Sequence, residues 1–563
     1  MSNSSSTKLD FFNELLKYQK FFPIFIIGIA FPLFFYKLGA VGFLGPDEPR
    51  YAQVAREMFE RSDFITPTLL GETWFEKPAL LYWFMIVCYQ LFDPSEFAAR
   101  LPNAIFATAN SLIIYHIAKK AGGSIYGLFS GIVLASSLLY FGLARAASFD
   151  MPLTFSFTLA IATFYLADTA ENKRQQFFYL MAFYAALGIS VLAKGLVGFV
   201  LISAIIGIYI ILTGQLTSLL KFCPFLGLAI FLLVASIWYL PVILKHGQAF
   251  IDVFFIQHHF QRFTSNKYRH PGPIYFFILI ILAGVFPWTI FLLKGVGRLI
   301  KLRPTNFSWF NFEHKQDRLL LLALLWLIIP LTFFSLSSSK LPGYILPVFP
   351  ALGLLIGYEV EKTFSEAKEL RYPIIITSLL LLIISLAAPY FAGKELAASP
   401  TSKTLLALAP ILAALGLLSF FWLKNYWTVL FSLFSINPML AIIITTTLFS
   451  PLENKDSLSS LSKTALSNFK VDEKIIFFNY LQYSPLFYTN GRVIKGSGEH
   501  TQEALVLETS DQLAQLLQKN DSLLCLTKEK YLNKITSDDR FQISFIAKQR
   551  DIQLLRVSLN YGK

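Results

Sequence analysis

The chain has 563 residues, 55% of them hydrophobic and 15% charged, with a mean hydropathy of +0.56, which excludes a soluble globular protein. Its apolar runs, roughly 17–25 residues each, suit membrane-spanning helices and exclude a β-barrel. The net charge of +13 does not call for nucleic acid, because basic residues collect in the cytoplasmic loops of membrane proteins, and Cys88, Cys223 and Cys525 are too scattered for a disulfide framework or a cysteine metal site.

Segment 1–19 is polar and amphipathic, and Lys17 and Lys20 precede the first apolar span, 21–36. No small-residue cleavage site follows that span, so it is expected to stay as an anchor. Next comes the turn Asp47-Glu48-Pro49-Arg50, which runs into a helix. Asp47 or Glu48 is expected to cap that helix, and Pro49 suits its first turn. Tyr51, Val54, Ala55 and Met58 form its apolar face, with Arg50, Gln53, Arg56 and Glu57 opposite; such a helix belongs at the water–lipid boundary. The apolar run 79–92, of about 14 residues, is short for a span and reads as interfacial.

Later spans are expected at 101–117, 125–143, 151–167, 177–192, 196–212, 224–244, 274–293, 319–336, 344–358, 374–391, 405–423 and 427–449, making about thirteen with the first. Loop charge agrees with that count. Lys119/Lys120, Lys173/Arg174, Lys221, Arg298/Lys301/Arg303, Lys362/Lys368/Arg371 and Lys424 all fall on one side if 79–92 does not cross. The N-terminus is then cytoplasmic and the C-terminus external, which is periplasmic in a Gram-negative inner membrane. From about residue 450 the composition changes, and 450–563 reads as a small α/β domain beside a membrane domain, 1–449. Strands are expected at 474–478, 492–495, 523–527 and 541–547, and helices near 511–519 and 528–535.

Four external features carry unusual polar residues. They are the Asp47–Arg50 turn, Trp74-Phe75-Glu76-Lys77-Pro78, Arg145 to Asp150, and the 245–273 loop with its histidines, Arg262 and Arg269. An acid near a span end is often only solvated by headgroup water. Three of them, Asp47, Glu76 and Asp150, on one face suggest function, because ionisable groups near the bilayer are costly. Lys77, Arg262 and Arg269 suit a phosphate. Lys194 and Lys340, external and against the positive-inside bias, are further candidates. The histidines could ligate a metal, alone or with Glu76, although His258 and His259 are adjacent, a poor spacing for two ligands on one helical face. External carboxylates with a phosphate-sized cationic cluster imply a lipid-phosphate donor and sugar transfer at the membrane surface. A carboxylate would orient or deprotonate the acceptor, and cations would stabilise the leaving phosphate. A lipid or solute transporter would instead show internal repeats and mid-membrane charges. A scaffold for the α/β domain would leave the clusters without a use.

The same stretches resemble the polytopic, GT-C-type glycosyltransferases that use polyprenyl-phosphate sugars, above all the bacterial 4-amino-4-deoxy-L-arabinose transferases that modify lipid A. They are Asp47-Glu48-Pro49-Arg50-Tyr51-Ala52, Trp74-Phe75-Glu76-Lys77-Pro78, Phe97-Ala98-Ala99-Arg100-Leu101-Pro102, Asp150-Met151-Pro152, Leu192-Ala193-Lys194-Gly195 and Ser338-Ser339-Lys340-Leu341-Pro342-Gly343-Tyr344. The resemblance implies thirteen spans, interfacial helices in the first external loop and a periplasmic domain. It implies Asp47 as the leading catalytic carboxylate, supported by Asp150 and flanked by Glu48. Lys77 with Arg262 or Arg269 would bind the carrier phosphate, Tyr344 would line the carrier cavity, and Arg50, Tyr51, Lys194 and Lys340 complete the expected binding set. Glu76 with His258 or His259 resembles a metal contact of the family, a possible zinc site, with no cofactor required. The expected partners are an undecaprenyl-phosphate sugar, lipid A or another periplasmic glycan as acceptor, and membrane lipids. Relatives with the same acidic turn move other sugars or act on other glycans or on protein.

Overall fold

The computed structural model describes residues 11–261, 271–301, 313–494 and 506–560, with side chains left out at 218–220, 257–261, 299–301, 367 and 368. The chain packs as two units. One comprises Met1–Leu38, Phe75–Phe84 and Arg100–Thr447; the other comprises Gly39–Trp74, Met85–Ala99 and Leu448–Lys563.

The first unit is helical. Among the described residues, eight helices are long and apolar enough to cross a membrane, or up to eleven if each bent helix pair counts as one span. Helix Glu96–Gly122, which holds the predicted span 101–117, has 27 residues but is not among those eight, and Leu196–Leu212 is shorter than they are. Helices Asp150–Asp168 and Pro342–Ser365 are 78% and 83% buried inside the protein, whereas Pro224–His246 and Arg371–Leu396 are 28% buried. The first two are therefore the centre of the unit, and they carry Asp150 and Tyr344.

Small residues let the central helices close up. A Cβ on Gly357 would lie 2.7 Å from the backbone nitrogen of Ser130, and one on Gly353 would lie 3.1 Å from its carbonyl oxygen. Such close backbone approach is how helices associate where no hydrophobic drive separates them from lipid. Buried polar groups add to it: Asn437 Nδ2 donates to the carbonyls of Ser136 and Phe286, and Trp288 Nε1 donates to Ser136 Oγ at 2.9 Å. Arg145 closes the end of the first span by donating to the carbonyls of Leu33 (3.0 Å) and Tyr36 (2.9 Å), so this cation has a capping task.

The second unit combines helix Asp47–Arg61, a short hairpin of strands β1 (Thr68–Leu69) and β2 (Glu72–Thr73), and a five-stranded mixed sheet. That sheet contains β3 (Ile475–Phe478), β4 (Val506–Leu507), β5 (Leu523–Lys528), β6 (Phe541–Gln549) and β7 (Ile552–Leu559), in the order β4-β3-β5-β7-β6. β3 runs parallel to β4 and β5, while β7 is antiparallel to β5 and β6. Ile476, Phe478, Leu513, Leu517, Cys525, Leu555 and Val557 form its core. The expected strand at 492–495 shrinks to a single bridge between Val493 and Ile475. The helix expected over 528–535 is two short turns, Glu529–Tyr531 and Asn533–Thr536.

Candidate active site

Helix Asp47–Arg61 starts without the side-chain cap expected of Asp47 or Glu48; Pro46 holds the N-cap position and Asp47 is the first helical residue. Both acids still lie in the first turn, where the helix dipole favours negative charge. Glu48 is buried, and its Oε2 accepts from the Leu44 amide at 2.8 Å, which closes the turn ahead of the helix. Asp47 is different. Its Oδ1 lies 2.5 Å from Arg50 Nη2, yet half of its side chain (50%) is exposed while that of Arg50 is 8% exposed. The Arg50 guanidinium lies 5.2 Å from the ring centre of Tyr483 and 5.5 Å from those of Tyr51 and Trp74. Three aromatic faces thus hold the planar cation that aims the carboxylate.

The remainder of that helix corrects the sequence expectation. Tyr51, Val54, Ala55 and Met58 are buried, but so are Arg50 and Gln53 from the face expected to meet water. Helix Ser484–Tyr488 packs on this helix within the same unit. Arg56 Nη1 donates to the Phe487 carbonyl at 3.2 Å, and the Tyr488 hydroxyl accepts from the Phe43 amide at 2.9 Å. Glu57 is structural: its carboxylate accepts from Thr68 Oγ1 (2.7 Å), the Leu70 amide (2.7 Å) and the Gly71 amide (3.1 Å), which fixes the β1–β2 turn.

The first unit brings together residues from three separate stretches. Asp150 is the first residue of helix Asp150–Asp168, and Lys194 is the last of helix Lys173–Lys194. Their side chains form an ion pair, 17% and 18% exposed. Lys194 Nζ also lies 5.0 Å from the centre of the Tyr344 ring. Gly343 presses its backbone against the Asp150 carboxylate so closely that a Cβ there would collide with Oδ2. Any side chain at that point would have to push the Asp150 carboxylate aside.

Other predicted residues have local partners. Lys77 Nζ is 3.1 Å from Glu76 Oε1, both largely buried. Lys340 donates to the Ser337 carbonyl at 2.5 Å, at the end of helix Lys315–Leu336, where a cation is favoured. Arg262, Arg269 and the side chains of His258 and His259 lie outside the described residues. Among the described residues, no group of three or more His, Cys, Asp or Glu could hold a metal ion. Glu76 would reach a metal only by sharing its charge with Lys77.

Sequence reasoning missed Tyr483, since nothing local links it to Arg50, more than four hundred positions earlier. It quoted Gly343 without a role; the signal was a glycine just before a tyrosine in a Pro-bounded turn.

An acid fixed by a stacked arginine and a second acid paired with a lysine thus each stand at the start of a helix in a mostly helical chain with several membrane-spanning candidates. Residues 76–239 match the family described as dolichyl-phosphate-mannose-protein mannosyltransferase. The chain is 31% identical over 325 residues to an undecaprenyl phosphate-alpha-4-amino-4-deoxy-L-arabinose arabinosyl transferase of Aeromonas salmonicida, covering 58% of this chain and 57% of the relative. It is 30% identical over 347 residues to the enzyme of that name from Aeromonas hydrophila, covering 61% of each. The chain thus matches 57 to 61% of the length of these curated relatives. In structure it is similar to ArnT from Cupriavidus metallidurans bound to undecaprenyl phosphate, with a TM-score of 0.80 at 22% identity over 95% of this chain and 97% of that one. The apo form of the same protein gives 0.76 at 21% identity over the same shares of the two chains. The chain shares that fold.

Proposed function

We propose that the chain is a glycosyltransferase of a bacterial inner membrane that moves 4-amino-4-deoxy-L-arabinose from undecaprenyl phosphate to a phosphate of lipid A on the periplasmic side. The observation that carries this reading is Asp47, a carboxylate that stays half exposed while a nearly buried, aromatic-stacked arginine fixes its direction. The names of the relatives and of the ArnT structure supply the donor. The eight long helices, the three bent pairs counted as one span each, Glu96–Gly122 and the short helix Leu196–Leu212 support about thirteen spans, and the basic residues gathered in alternate loops support a cytoplasmic N-terminus. The folded sheet formed by β3 to β7 supports a periplasmic α/β domain over 450–563 beside the membrane domain.

In the reaction the bond from the anomeric carbon to the carrier phosphate breaks, the phosphate keeps the electron pair, and an acceptor oxygen bonds to the same carbon. A phosphate monoester acceptor has a second pKa of about 6 and is already a dianion at neutral pH. Asp47 therefore serves best by stabilising positive charge at the anomeric carbon and orienting the acceptor. Lys77 and Lys194 are the described cations read as facing the leaving phosphate, with Arg262 or Arg269 completing the set. No cofactor enters these steps, and chelation of zinc at Glu76 and His258 or His259 should leave transfer intact.

The test is mass spectrometry of lipid A from cells with and without the gene, complemented by wild type or by Asp47→Asn. A pentosamine that vanishes on deletion and returns only with wild type supports both reaction and residue. Unchanged lipid A removes the aminoarabinose assignment and directs the search to other glycans or glycoproteins.

A further inference from the structure

The second unit contains a cleft of about 190 Å³ that no step above uses, walled by residues 454–458, the loop after β3, the end of β5 and the β6–β7 turn. Its walls are stitched together. Gln549 Nε2 donates to the Ser457 carbonyl at 3.0 Å and the Asn454 carbonyl at 3.4 Å, and Gln549 Oε1 accepts from Ser460 Oγ at 3.0 Å. The chain leaving the apolar run Tyr426–Asp456 is thereby tied to the end of β6, so the cleft has a fixed shape.

The lining combines three chemistries. Tyr480 supplies an aromatic face, with Lys528 Nζ 5.0 Å from its ring centre. Burial, helped by the nearby Asp551 charge, pushes the Tyr480 phenol up to about 12, so it stays a neutral hydroxyl donor in physiological conditions. Lys455, Lys528 and Arg550 outnumber Asp456 and Asp551 among the lining charges, and Lys528 meets Asp551 only at 3.9 Å. An aromatic face takes the C–H side of a ring, the hydroxyl takes its oxygens, and a surplus of cations takes a phosphate. The volume lies below the roughly 300–1,000 Å³ of pockets for drug-sized ligands, which limits the occupant to one ring and its substituents.

We propose that this cleft binds a single phosphorylated sugar, its ring on Tyr480 and its phosphate on Lys528 and Arg550. Two sources share that chemistry: the headgroup of a phosphorylated glycolipid, suggested because the cleft begins where the chain leaves an apolar run, and a free sugar phosphate. The first source rests on the acceptor reading above, but binding is measured without transfer. A chain that binds and does not transfer would separate the two proposals, as would one that transfers and does not bind.

The experiment uses the full chain in phospholipid nanodiscs with N-acetylglucosamine 1-phosphate as probe, read by saturation-transfer NMR on the sugar protons. The expected result is a saturated ring signal that falls about tenfold in Lys528→Gln and is lost in Lys528→Gln/Arg550→Gln. Melting of the sheet unchanged in both variants keeps the comparison free of misfolding. A wild-type chain without ring signal, or a double variant with full signal, overturns the proposal. So does inorganic phosphate that binds while the sugar ring stays unsaturated, which would mean an anion site only. Phosphorylated glycolipid in the disc that displaces the probe supports the cleft and assigns the membrane source; a probe that stays bound against the glycolipid supports the cleft and assigns the soluble one.

Discussion

Asp47 and Asp150 are two acids in one chain with the same local design and different exposure. Each is the first residue of a helix and each is paired with a cation. In the second unit, Asp47 is half exposed and its arginine is buried among rings; in the first, Asp150 and Lys194 are both mostly covered. The acid that keeps solvent access can meet a substrate. The acid sealed with its lysine, and pressed by the Gly343 backbone, instead fixes where the Lys194 ammonium sits over Tyr344. Access thus separates a carboxylate that can act on a substrate from one that positions a cation, although the residue type and helix position are the same.

The sharpest way to break this comparison is to neutralise each acid in turn and measure transfer kinetics. Asp47→Asn should lower kcat by about 10²- to 10³-fold, the usual cost of removing one preorganised electrostatic contact, with the donor KM little changed. Asp150→Asn should act mainly on donor KM, because it releases Lys194. Equal kcat losses with unchanged KM in both would erase the distinction. Gly343→Ala comes next: the new methyl group must displace the Asp150 carboxylate, and transfer should fall by about 10- to 100-fold in a folded protein. Wild-type activity would show that the pair is not tightly placed.

What could be read from the sequence followed what is local in it. Most apolar runs of span length became helices, because burying or lipid-facing an apolar run requires its backbone bonds to close internally, but 125–143 and 274–293 each became two helices meeting at bends of 64° and 119°. Asp150, Lys194 and Tyr344 were each singled out, yet only packing put the lysine on both the acid and the ring. The helix after Asp47 was misjudged in environment: its polar face read as solvated, but Arg50 and Gln53 are covered by residues near the other end of the chain. β7 was missed because Ile552 to Leu555 are all buried, so no alternation marks a strand, and β4 is only two residues long.

Arg50→Lys tests the aromatic clamp with charge conserved. Lysine keeps the attraction to Asp47 but loses the planar stacking on Tyr51, Trp74 and Tyr483, so the second unit should lose about 1–2 kcal/mol in melting experiments. Transfer should drop less than in Asp47→Asn. A loss as large as that of Asp47→Asn would make the guanidinium itself part of the chemistry.

The smallest effect on transfer is expected at a carboxylate that has no access at all. Glu473, 1% exposed, receives Arg556 on both oxygens at 2.8 and 2.9 Å, Ser522 Oγ at 2.6 Å and the Lys470 amide at 3.0 Å. Burial alone would raise its pKa, but these donors together hold it below the ordinary 4.5. A depressed carboxylate contributes stability that is complete above that ordinary value and is lost as the pH falls through its folded value. Amide hydrogen exchange in β3 and β5 should therefore accelerate on acidification from about pH 6 to pH 3, and Glu473→Gln should flatten that dependence. The variant should also lower stability by about 3 kcal/mol at neutral pH, because Arg556 loses its charged partner, while kcat stays near wild type. A changed kcat with an unchanged acid profile would mean that burial does not separate structural from working carboxylates in this chain.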